Sequence, residues 1–207
     1  MKRLGILISG RGSNFAAIAD QIKIGELDAE IAIVISNRTE ANGLEIARER
    51  GIPAVCIPSK GLDREAYDRM LLEELKKHDV EIVCLAGYLR LLSATFIRQY
   101  PNRILNIHPS LLPAFPGLDA QHQALAHGVK ITGCTVHFVD ENLDAGPIVL
   151  QTAVPVADND TVETLSARIL RQEHHLYSEA LRMVVQGAFR IDGRRVVAAQ
   201  PGTGFED

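Results

Sequence analysis

The sequence lacks the features of a membrane-spanning or broadly basic protein. No apolar stretch approaches the roughly 20 residues that a membrane-spanning helix needs. There is no long run of lysine and arginine, and the formal net charge at pH 7 is −4. These absences disfavour a membrane protein and a general nucleic-acid binder, although they leave room for a small basic pocket. We therefore expect small-molecule ligands, with no nucleic-acid partner and no membrane partner.

Cysteine is also scarce, since the chain contains only Cys56, Cys84 and Cys134. They are odd in number, far apart and set among apolar residues, which is unlike a disulfide framework or a zinc knuckle. We predict three buried free thiols in a reducing compartment, which indicates a cytoplasmic protein. A nucleophilic cysteine would need an activating base beside it, and the sequence does not show one.

The 207 residues are enough for one substantial core, since 46% are hydrophobic and 23% charged. We predict a single domain over residues 1–200 and a flexible tail at 201–207. Strand and helix patterns alternate in the first half, in the order Leu4–Ser9, Ser13–Lys23, Ile31–Ser36, Ala41–Arg50, Ala54–Ile57, Arg64–Lys77 and Ile82–Ala86. This alternation predicts an α/β, Rossmann-like fold with a mostly parallel, twisted sheet and helices on both faces.

The second half predicts other connections. Its expected elements are a helix at Ser93–Arg98, a strand at Ile104–Asn106, a helix at Gly117–His127, strands at Gly133–Val139 and Ile148–Val156, a helix to Val185 and a terminal hairpin around Asp192-Gly193. The two strands that flank Asp140–Pro147 are joined by so little chain that we predict an antiparallel pair. Thr161 is placed to cap the long helix.

Asn106–Pro113, with the sequence Asn-Ile-His-Pro-Ser-Leu-Leu-Pro, is the strongest candidate for a site. Asn106 and His108 are two positions apart at the end of a strand, so extended geometry points both side chains to one side. Pro109 has no backbone N–H, so we expect the strand to stop there. Because open α/β sheets bind ligands at strand ends, the amide and the imidazole are placed to grip one small substrate atom. The alternative is local hydrogen bonding that closes the strand.

A glycine loop, Ser9-Gly10-Arg11-Gly12-Ser13-Asn14, joins the first strand to the first helix. Its glycines let a ligand approach the backbone, Ser13 is placed to cap the helix, and free N–H groups at the helix start favour an anion. A nicotinamide dinucleotide is disfavoured because Phe15 replaces the third glycine of G-x-G-x-x-G, and Ser36-Asn37-Arg38 carries no acid. We expect one terminal phosphate on a small substrate. The alternative is a tight turn without a ligand.

Asp144 is the candidate carboxylate of the Asp140–Pro147 loop. The small, rigid residues Ala145-Gly146-Pro147 follow it and would let a ligand lie close to the backbone. The acids Asp140 and Glu141 have the ordinary pattern of solvated residues. If Asp144 lies beside His108, it would orient the ring and favour its protonated form.

The histidine His137 alternates with apolar residues along a strand, which is typical of a core histidine, and a supporting role at the site is the less favoured interpretation. The composition leaves open a zinc site of His108, His137 and Asp144. No H-x-x-x-H or H-x-E pairing supports such a site, so we expect no metal.

The segments Ile8–Asn14, Leu85–Leu92, Asn106–Pro113, Leu143–Pro147 and Gln172-Glu173-His174 together resemble the phosphoribosylglycinamide formyltransferases, a family of folate-dependent enzymes of purine synthesis. The resemblance spans nearly the whole chain. Its central motif and the later aspartate are shared with other formyl transferases and hydrolases that use 10-formyltetrahydrofolate, so they specify the chemistry better than the acceptor.

The resemblance implies direct transfer of a formyl group from 10-formyltetrahydrofolate, the co-substrate, to the amine of 5′-phosphoribosylglycinamide, through a tetrahedral intermediate and without a metal. It implies catalytic roles for Asn106, His108 and Asp144, and acceptor binding by Gly12, Ser13, Asn14 and Glu173. The implied folate-binding residues are Arg64, Leu89, Arg90, Leu91, Leu92, Asn106, Asp140 and Asp144. The phosphate site would fall in the half before about residue 100, and the folate-binding and catalytic site in the half after it.

Relatives with other acceptors are the main alternatives. Methionyl-tRNA formyltransferases normally carry a further C-terminal domain and formyltetrahydrofolate deformylases an N-terminal one, and we expect neither in this chain. A hydrolase that admits water to the same site and a non-catalytic sensor of phosphate ligands stay open. Asp119 and Ala120 stand where the family commonly has histidine and threonine. The sequence favours neither a monomer nor a homodimer.

Overall fold

The computed structural model describes residues 1–198, so the predicted tail at 201–207 lies outside the described residues. The strands in this part of the chain are β1 (Lys2–Ile8), β2 (Ala29–Ser36), β3 (Ala54–Cys56), β4 (Ile82–Leu85), β5 (Ile104–His108), β6 (Ile131–Phe138), β7 (Ile148–Pro155), β8 (Phe189–Asp192) and β9 (Arg195–Ala198). The helices are α1 (Ser13–Lys23), α2 (Asn42–Glu49), α3 (Arg64–Lys77), α4 (Ala94–Gln99), α5 (Ala120–Ala126) and α6 (Val162–Val185).

These strands form one sheet in the order β3-β2-β1-β4-β5-β6-β7-β9-β8. The pairs from β3 to β5 are parallel, whereas β6 is antiparallel to both β5 and β7. From β1 the strands β2 and β3 are added on one side of the sheet, and β4 is then added on the other side of β1. Because this reversal opens a crevice at the carboxyl ends of β1 and β4, the topology itself provides a place for a ligand.

Two apolar cores lie on opposite faces of the sheet, as the predicted α/β class requires. One core packs α1, α2 and α6 against the sheet, with Phe15, Leu44 and Leu181 among its buried members. The other packs α3 and α4, with Leu71 and Phe96 buried. The predicted single α/β fold, with helices on both faces and an antiparallel pair in the second half, is confirmed.

The long helix α6 begins where the sequence predicts. Thr161 caps it by accepting from the backbone N–H of Thr164 at 3.3 Å, and the Thr164 hydroxyl accepts from the Thr161 N–H at 2.9 Å. Further along, the buried Tyr177 hydroxyl lies 3.2 Å from the carbonyl oxygen of Leu85 in β4 and 3.0 Å from that of Leu105 in β5. One side chain of α6 therefore contacts the main chain of two neighbouring strands.

Three local predictions are wrong. The helix expected at Gly117–His127 begins only at Ala120, because Gly117 and Asp119 have positive φ values of 81° and 57° and cannot continue a right-handed helix. The strand expected to end at Asn106 runs on to His108, so Pro109 ends it directly. Cys84 and Cys134 are buried free thiols, but Cys56 is only half-buried because its strand, β3, forms an edge of the sheet.

Candidate active site

A cleft of about 790 Å³ opens at the carboxyl ends of β1, β2, β4 and β5. The glycine loop and the segment 85–92 form one side, and residues 117–121 and 139–144 form the other. Every predicted site residue lines it: Gly12, Ser13, Asn14, Arg64, Leu89, Arg90, Leu91, Leu92, Asn106, His108, Asp140, Asp144 and Glu173. The fold thus brings together residues that are up to about 160 positions apart in the chain.

The His108 ring lies between two oxygen acceptors. Its Nε2 donates to the carbonyl oxygen of Phe115 at 2.8 Å, and its Nδ1 lies 3.4 Å from Oδ2 of Asp144. The same Asp144 oxygen accepts from the backbone N–H of Gly117 at 2.8 Å. The sequence left this contact open, and in the fold Asp144 does lie beside His108. Nε2 therefore donates to the Phe115 carbonyl, while Nδ1 faces the Asp144 carboxylate.

The amide of Asn106 is oriented by His137, which the sequence had favoured as a core residue. The two are directly opposed on β5 and β6, and Nδ2 of Asn106 lies 3.2 Å from Nε2 of His137. Nδ1 of His137 lies 2.9 Å from the carbonyl oxygen of Phe138, so that nitrogen carries the proton and Nε2 accepts from Asn106. Burial lowers the pKa of His137, which favours this neutral form. One Nδ2 hydrogen of Asn106 is left for a ligand in the cleft.

Two polar side chains on β6 and β7, which the sequence did not indicate, bind the loop after β5. The Thr135 hydroxyl, opposite His108 in the sheet, donates to the Ser110 carbonyl at 2.7 Å and accepts from the Leu112 N–H at 3.1 Å. Gln151 Nε2 donates to the Leu112 carbonyl and to the Thr135 hydroxyl, both at 2.9 Å. Threonine and glutamine on strands have no distinctive pattern, so only the register of β5, β6 and β7 reveals this anchor.

The glycine loop presents main-chain donors to the cleft. Gly12, at φ 74°, occupies the N-cap position of α1, and no side chain caps the helix. Ser13 is instead the first helical residue, so the prediction that it caps α1 is wrong. The first intrahelical bond runs from Ala16 N–H to Gly12 O, and within the described chain the N–H groups of Ser13 and Asn14 have no acceptor. Unpaired N–H groups at the start of an 11-residue helix are suited to an anion.

Ser9 joins the glycine loop to its neighbours. Its N–H donates to the Gly87 carbonyl at 3.0 Å, and its hydroxyl donates to Oδ1 of Asn37 at 2.6 Å. The same hydroxyl accepts from the Leu89 N–H at 2.8 Å. This buried serine therefore fixes the loop ends of β1, β2 and β4 relative to one another.

Asn14 and Glu173 form a buried pair between α1 and α6. Nδ2 of Asn14 donates to Oε2 of Glu173 at 2.8 Å, and each residue is 7% exposed. Burial raises the pKa of Glu173, while the hydrogen bond from Asn14 opposes that rise. Oδ1 of Asn14 has no partner within residues 1–198. A buried amide oxygen without a partner in the described chain and a carboxylate thus lie side by side at the cleft.

The segment 85–92, on the same side of the cleft as the glycine loop, forms an apolar and partly open wall. Leu89 and Leu91 are 56% and 50% exposed, and Leu92 is buried behind them. Arg64 is exposed at the start of α3. The Arg90 guanidinium, by contrast, lies 4.7 Å from the ring centre of the buried Tyr67, so its charge is held in the wall by a cation–π contact.

The loop that carries Asp144 is shaped by its own chain contacts. Asp140 accepts from the Asn142 N–H at 2.8 Å, which is a local turn and not an isolated solvated acid. Gly146 is pressed against the carbonyl of Phe138, where any Cβ would overlap that oxygen. The expectation that this small residue makes room for a ligand is therefore replaced by a packing requirement within the chain.

In residues 1–198 no group of three or more histidine, cysteine, aspartate or glutamate residues is arranged to hold a metal ion. None of the helices in that range combines the length and apolar character needed to cross a membrane.

A family model described as formyl transferase matches residues 2–181. The chain belongs to the formyl transferase family. Phosphoribosylglycinamide formyltransferase from Bacillus subtilis (strain 168) is 41% identical over 186 residues, which cover 89% of this chain and 95% of that one. The solved glycinamide ribonucleotide transformylase 1 from Symbiobacterium toebii is 52% identical with a TM-score of 0.94, and the match covers 97% of this chain and 95% of that one.

This formyl transferase chain also resembles a segment of much longer proteins. The trifunctional purine biosynthetic protein adenosine-3 of Chironomus tentans is 47% identical over 196 residues, which cover 93% of this chain. The chain spans only 14% of the length of that relative. Similarity to that protein therefore concerns one segment of it.

Proposed function

We propose that this formyl transferase passes the formyl group of 10-formyltetrahydrofolate to the amine of 5′-phosphoribosylglycinamide in de novo purine (IMP) biosynthesis. The products are phosphoribosyl-N-formylglycinamide and tetrahydrofolate. The observation that carries the proposal is the meeting of Asn106, His108 and Asp144 in a cleft that also contains an anion-suited glycine loop. The near full-length match to a relative named for this acceptor supports the choice of acceptor.

The acceptor is assigned to the α1 side of the cleft. The N–H groups of Gly12, Ser13 and Asn14 are the donors for its phosphate, because anions bind at uncapped helix starts. Glu173, bound to Asn14, is the partner for the glycinamide end. Glu173 and His108 line the same cleft, so we place the acceptor end beside the catalytic end.

The folate is assigned to the open wall of the cleft. Leu89, Leu91 and Leu92 offer apolar surface to a flat ring system, and exposed Arg64 offers a charge to an acidic tail. Arg90 contributes its main chain and stem to this wall, since its guanidinium packs on Tyr67. Asp140 completes the folate-binding set on the other side of the cleft, with the catalytic Asn106 and Asp144.

The reaction requires donors for one oxygen. As the acceptor amine attacks the formyl carbon, the new C–N bond forms and the carbonyl electron pair moves to oxygen. We assign the free Nδ2 hydrogen of Asn106 and the Nδ1 proton of His108 to that oxygen. Nε2 of His108 is already bonded at 2.8 Å, whereas Nδ1 lies 3.4 Å from Asp144, too far for a strong bond and thus open to a substrate atom.

The reaction also moves protons. The amine loses one as it becomes an amide, and the folate nitrogen gains one as its bond to the formyl carbon breaks. We assign that proton to His108 or to a water held by Asp144, because the two side chains lie 3.4 Å apart beside the proposed reacting carbon and an imidazole can both accept and donate a proton. No covalent enzyme intermediate is required.

We place these functions in a single domain over residues 1–200, with the phosphate site built before about residue 100 and the catalytic residues after it. The free thiols of Cys84 and Cys134 favour a reducing compartment such as the cytoplasm. The proposed partners are two small-molecule substrates, with no resident metal.

The test is an absorbance assay of folate deformylation with and without phosphoribosylglycinamide. We expect turnover to depend on that acceptor and to yield one formylated product per folate consumed. Release of formate without an acceptor would instead identify a hydrolase. Calorimetric binding of phosphoribosylglycinamide with no turnover would identify a sensor, and either result would overturn the proposal.

A further inference from the structure

The glycine loop touches the start of α2 through two glycines. Gly43, in the first turn of α2, donates its N–H to the carbonyl of Gly10 at 3.1 Å. A Cβ placed on Gly12 would lie 2.6 Å from Cα of Gly43, and one placed on Gly43 would lie 3.0 Å from Cα of Gly12. The two backbones therefore meet with no side chain between them.

Space, and not backbone conformation, explains the glycine at position 43. Gly12 has a positive φ of 74°, which glycine adopts most readily, but Gly43 is helical and has no such requirement. Glycine in a helix is typically about 1 kcal/mol less favourable than alanine. A Cβ on Gly43 would also lie 2.5 Å from Cδ1 of the buried Ile8, so the site has no room for a methyl group.

We propose that Gly43 is a positioning residue that sets the glycine loop for the acceptor's phosphate. Contact with α2 holds Gly12 in the left-handed conformation at the N-cap, and this conformation leaves the Ser13 and Asn14 N–H groups unpaired and facing the cleft. The first turn of α2 thus determines the phosphate site without touching the ligand. This inference rests on the proposed function only for the identity of the phosphate compound.

The first test is Gly43→Ala. The added methyl group displaces Gly12, so we expect the KM for phosphoribosylglycinamide to rise by about 10-fold. The KM for 10-formyltetrahydrofolate and the kcat at saturating acceptor should change by less than about 2-fold, because Asn106 and His108 lie on β5, away from the contact. An unchanged KM for the acceptor would overturn the inference.

A second variant separates loop position from folding. Ile8→Val removes Cδ1, the atom nearest to the added methyl group, but leaves the approach to the Gly12 backbone. In the Gly43→Ala, Ile8→Val double variant we expect thermal stability close to that of Ile8→Val alone, with the acceptor KM still raised. If the KM returns to the Ile8→Val value together with the stability, Gly43 serves packing only and the inference is wrong.

Inorganic phosphate provides a readout that does not depend on turnover. In wild-type protein we expect phosphate to shift the amide ¹H–¹⁵N signals of Ser13 and Asn14, and in Gly43→Ala the same shift should need about 10-fold more phosphate. Equal titrations would contradict the inference. If wild type fails to use phosphoribosylglycinamide but the two titrations differ, the proposed function fails while the role of Gly43 stands.

Discussion

Two sets of hydrogen-bond donors in the cleft, one at the glycine loop and one at the end of β5, are oriented by different means. At the glycine loop the donors are main-chain N–H groups, and their direction is set by the left-handed Gly12 and its contact with Gly43. At the end of β5 the donors are the side chains of Asn106 and His108, and each is oriented by a hydrogen bond that it donates to a neighbouring segment.

This difference predicts different sensitivities to mutation. A main-chain donor survives any change of its own side chain and is lost when the backbone moves. A side-chain donor is lost with its own residue and is weakened when its orienting partner changes. The following experiments order these effects from the largest to the smallest.

Removal of a side-chain donor should have the largest effect. We expect Asn106→Ala and His108→Ala each to lower kcat by about 10²–10³, or roughly 3–4 kcal/mol, because each removes one donor to the developing oxyanion. Steady-state kinetics measures the effect, and circular dichroism checks the fold. His175→Ala is the matched control, since that exposed histidine does not line the cleft. Folded variants with near-normal turnover would remove Asn106 and His108 from the mechanism.

Loss of an orienting partner should have the next largest effect. In Asp144→Asn the His108 ring loses the carboxylate that faces Nδ1, while the Gly117 N–H keeps an amide oxygen to bond. We expect kcat to fall by about 10- to 100-fold, the typical effect of a group that orients a histidine. Steady-state kinetics measures the effect, and a kcat equal to that of wild type would contradict the role of Asp144.

His137 should make the free energy of unfolding depend on pH. Its pKa is lowered from 6.5 mainly by burial, so the folded state binds its proton less readily than the unfolded state. The free energy of unfolding is therefore expected to fall as pH drops below about 6.5, and this loss continues to the folded-state pKa. Urea unfolding across pH 5 to 8 measures the slope. His137→Asn should show a shallower slope than wild type. Equal slopes would show that His137 does not cause the pH dependence of the free energy of unfolding.

A side-chain change in the glycine loop should have the smallest effect. Ser13→Ala keeps the backbone N–H, and the Ser13 hydroxyl bonds to no other group in the described chain, so the acceptor KM should change by no more than about 3-fold. Gly12→Ala is the matched comparison, because it alters the loop backbone without removing a side-chain donor. If Ser13→Ala raises the KM more than Gly12→Ala does, the phosphate is not bound mainly by main-chain N–H groups of the glycine loop.

Much of the fold was predictable because its signals are local. Helices α1 and α3 have the predicted bounds, since periodic apolar residues and their flanking turns define both. The antiparallel pair β6 and β7 followed from a short connection, and the α6 cap followed from Thr161. The wrong cap at Ser13 has a non-local cause, because the conformation of Gly12 depends on a contact with α2.

The sequence predicted site residues only where they lie close together in one segment of the chain. Asn106 and His108 stand out because Pro109 directly follows their strand, and their roles, like that of Asp144, stay predictions. His137 was placed in the core because its contact with Asn106 depends on the β5–β6 register, which no local pattern encodes. The role of Gln151 was not predicted for the same reason, since its bond to Thr135 depends on the pairing of β7 with β6.

The Tyr177 hydroxyl limits how this protein can move. It connects α6 to β4 and β5, and Glu173 lies one turn earlier on the same helix. A hinge motion that separates the acceptor side from the catalytic strand would break these bonds in a buried environment, where polar groups are costly to leave unpaired. A rearrangement confined to the loops around the cleft would leave both bonds intact, so we expect ligand entry and exit to depend on those loops.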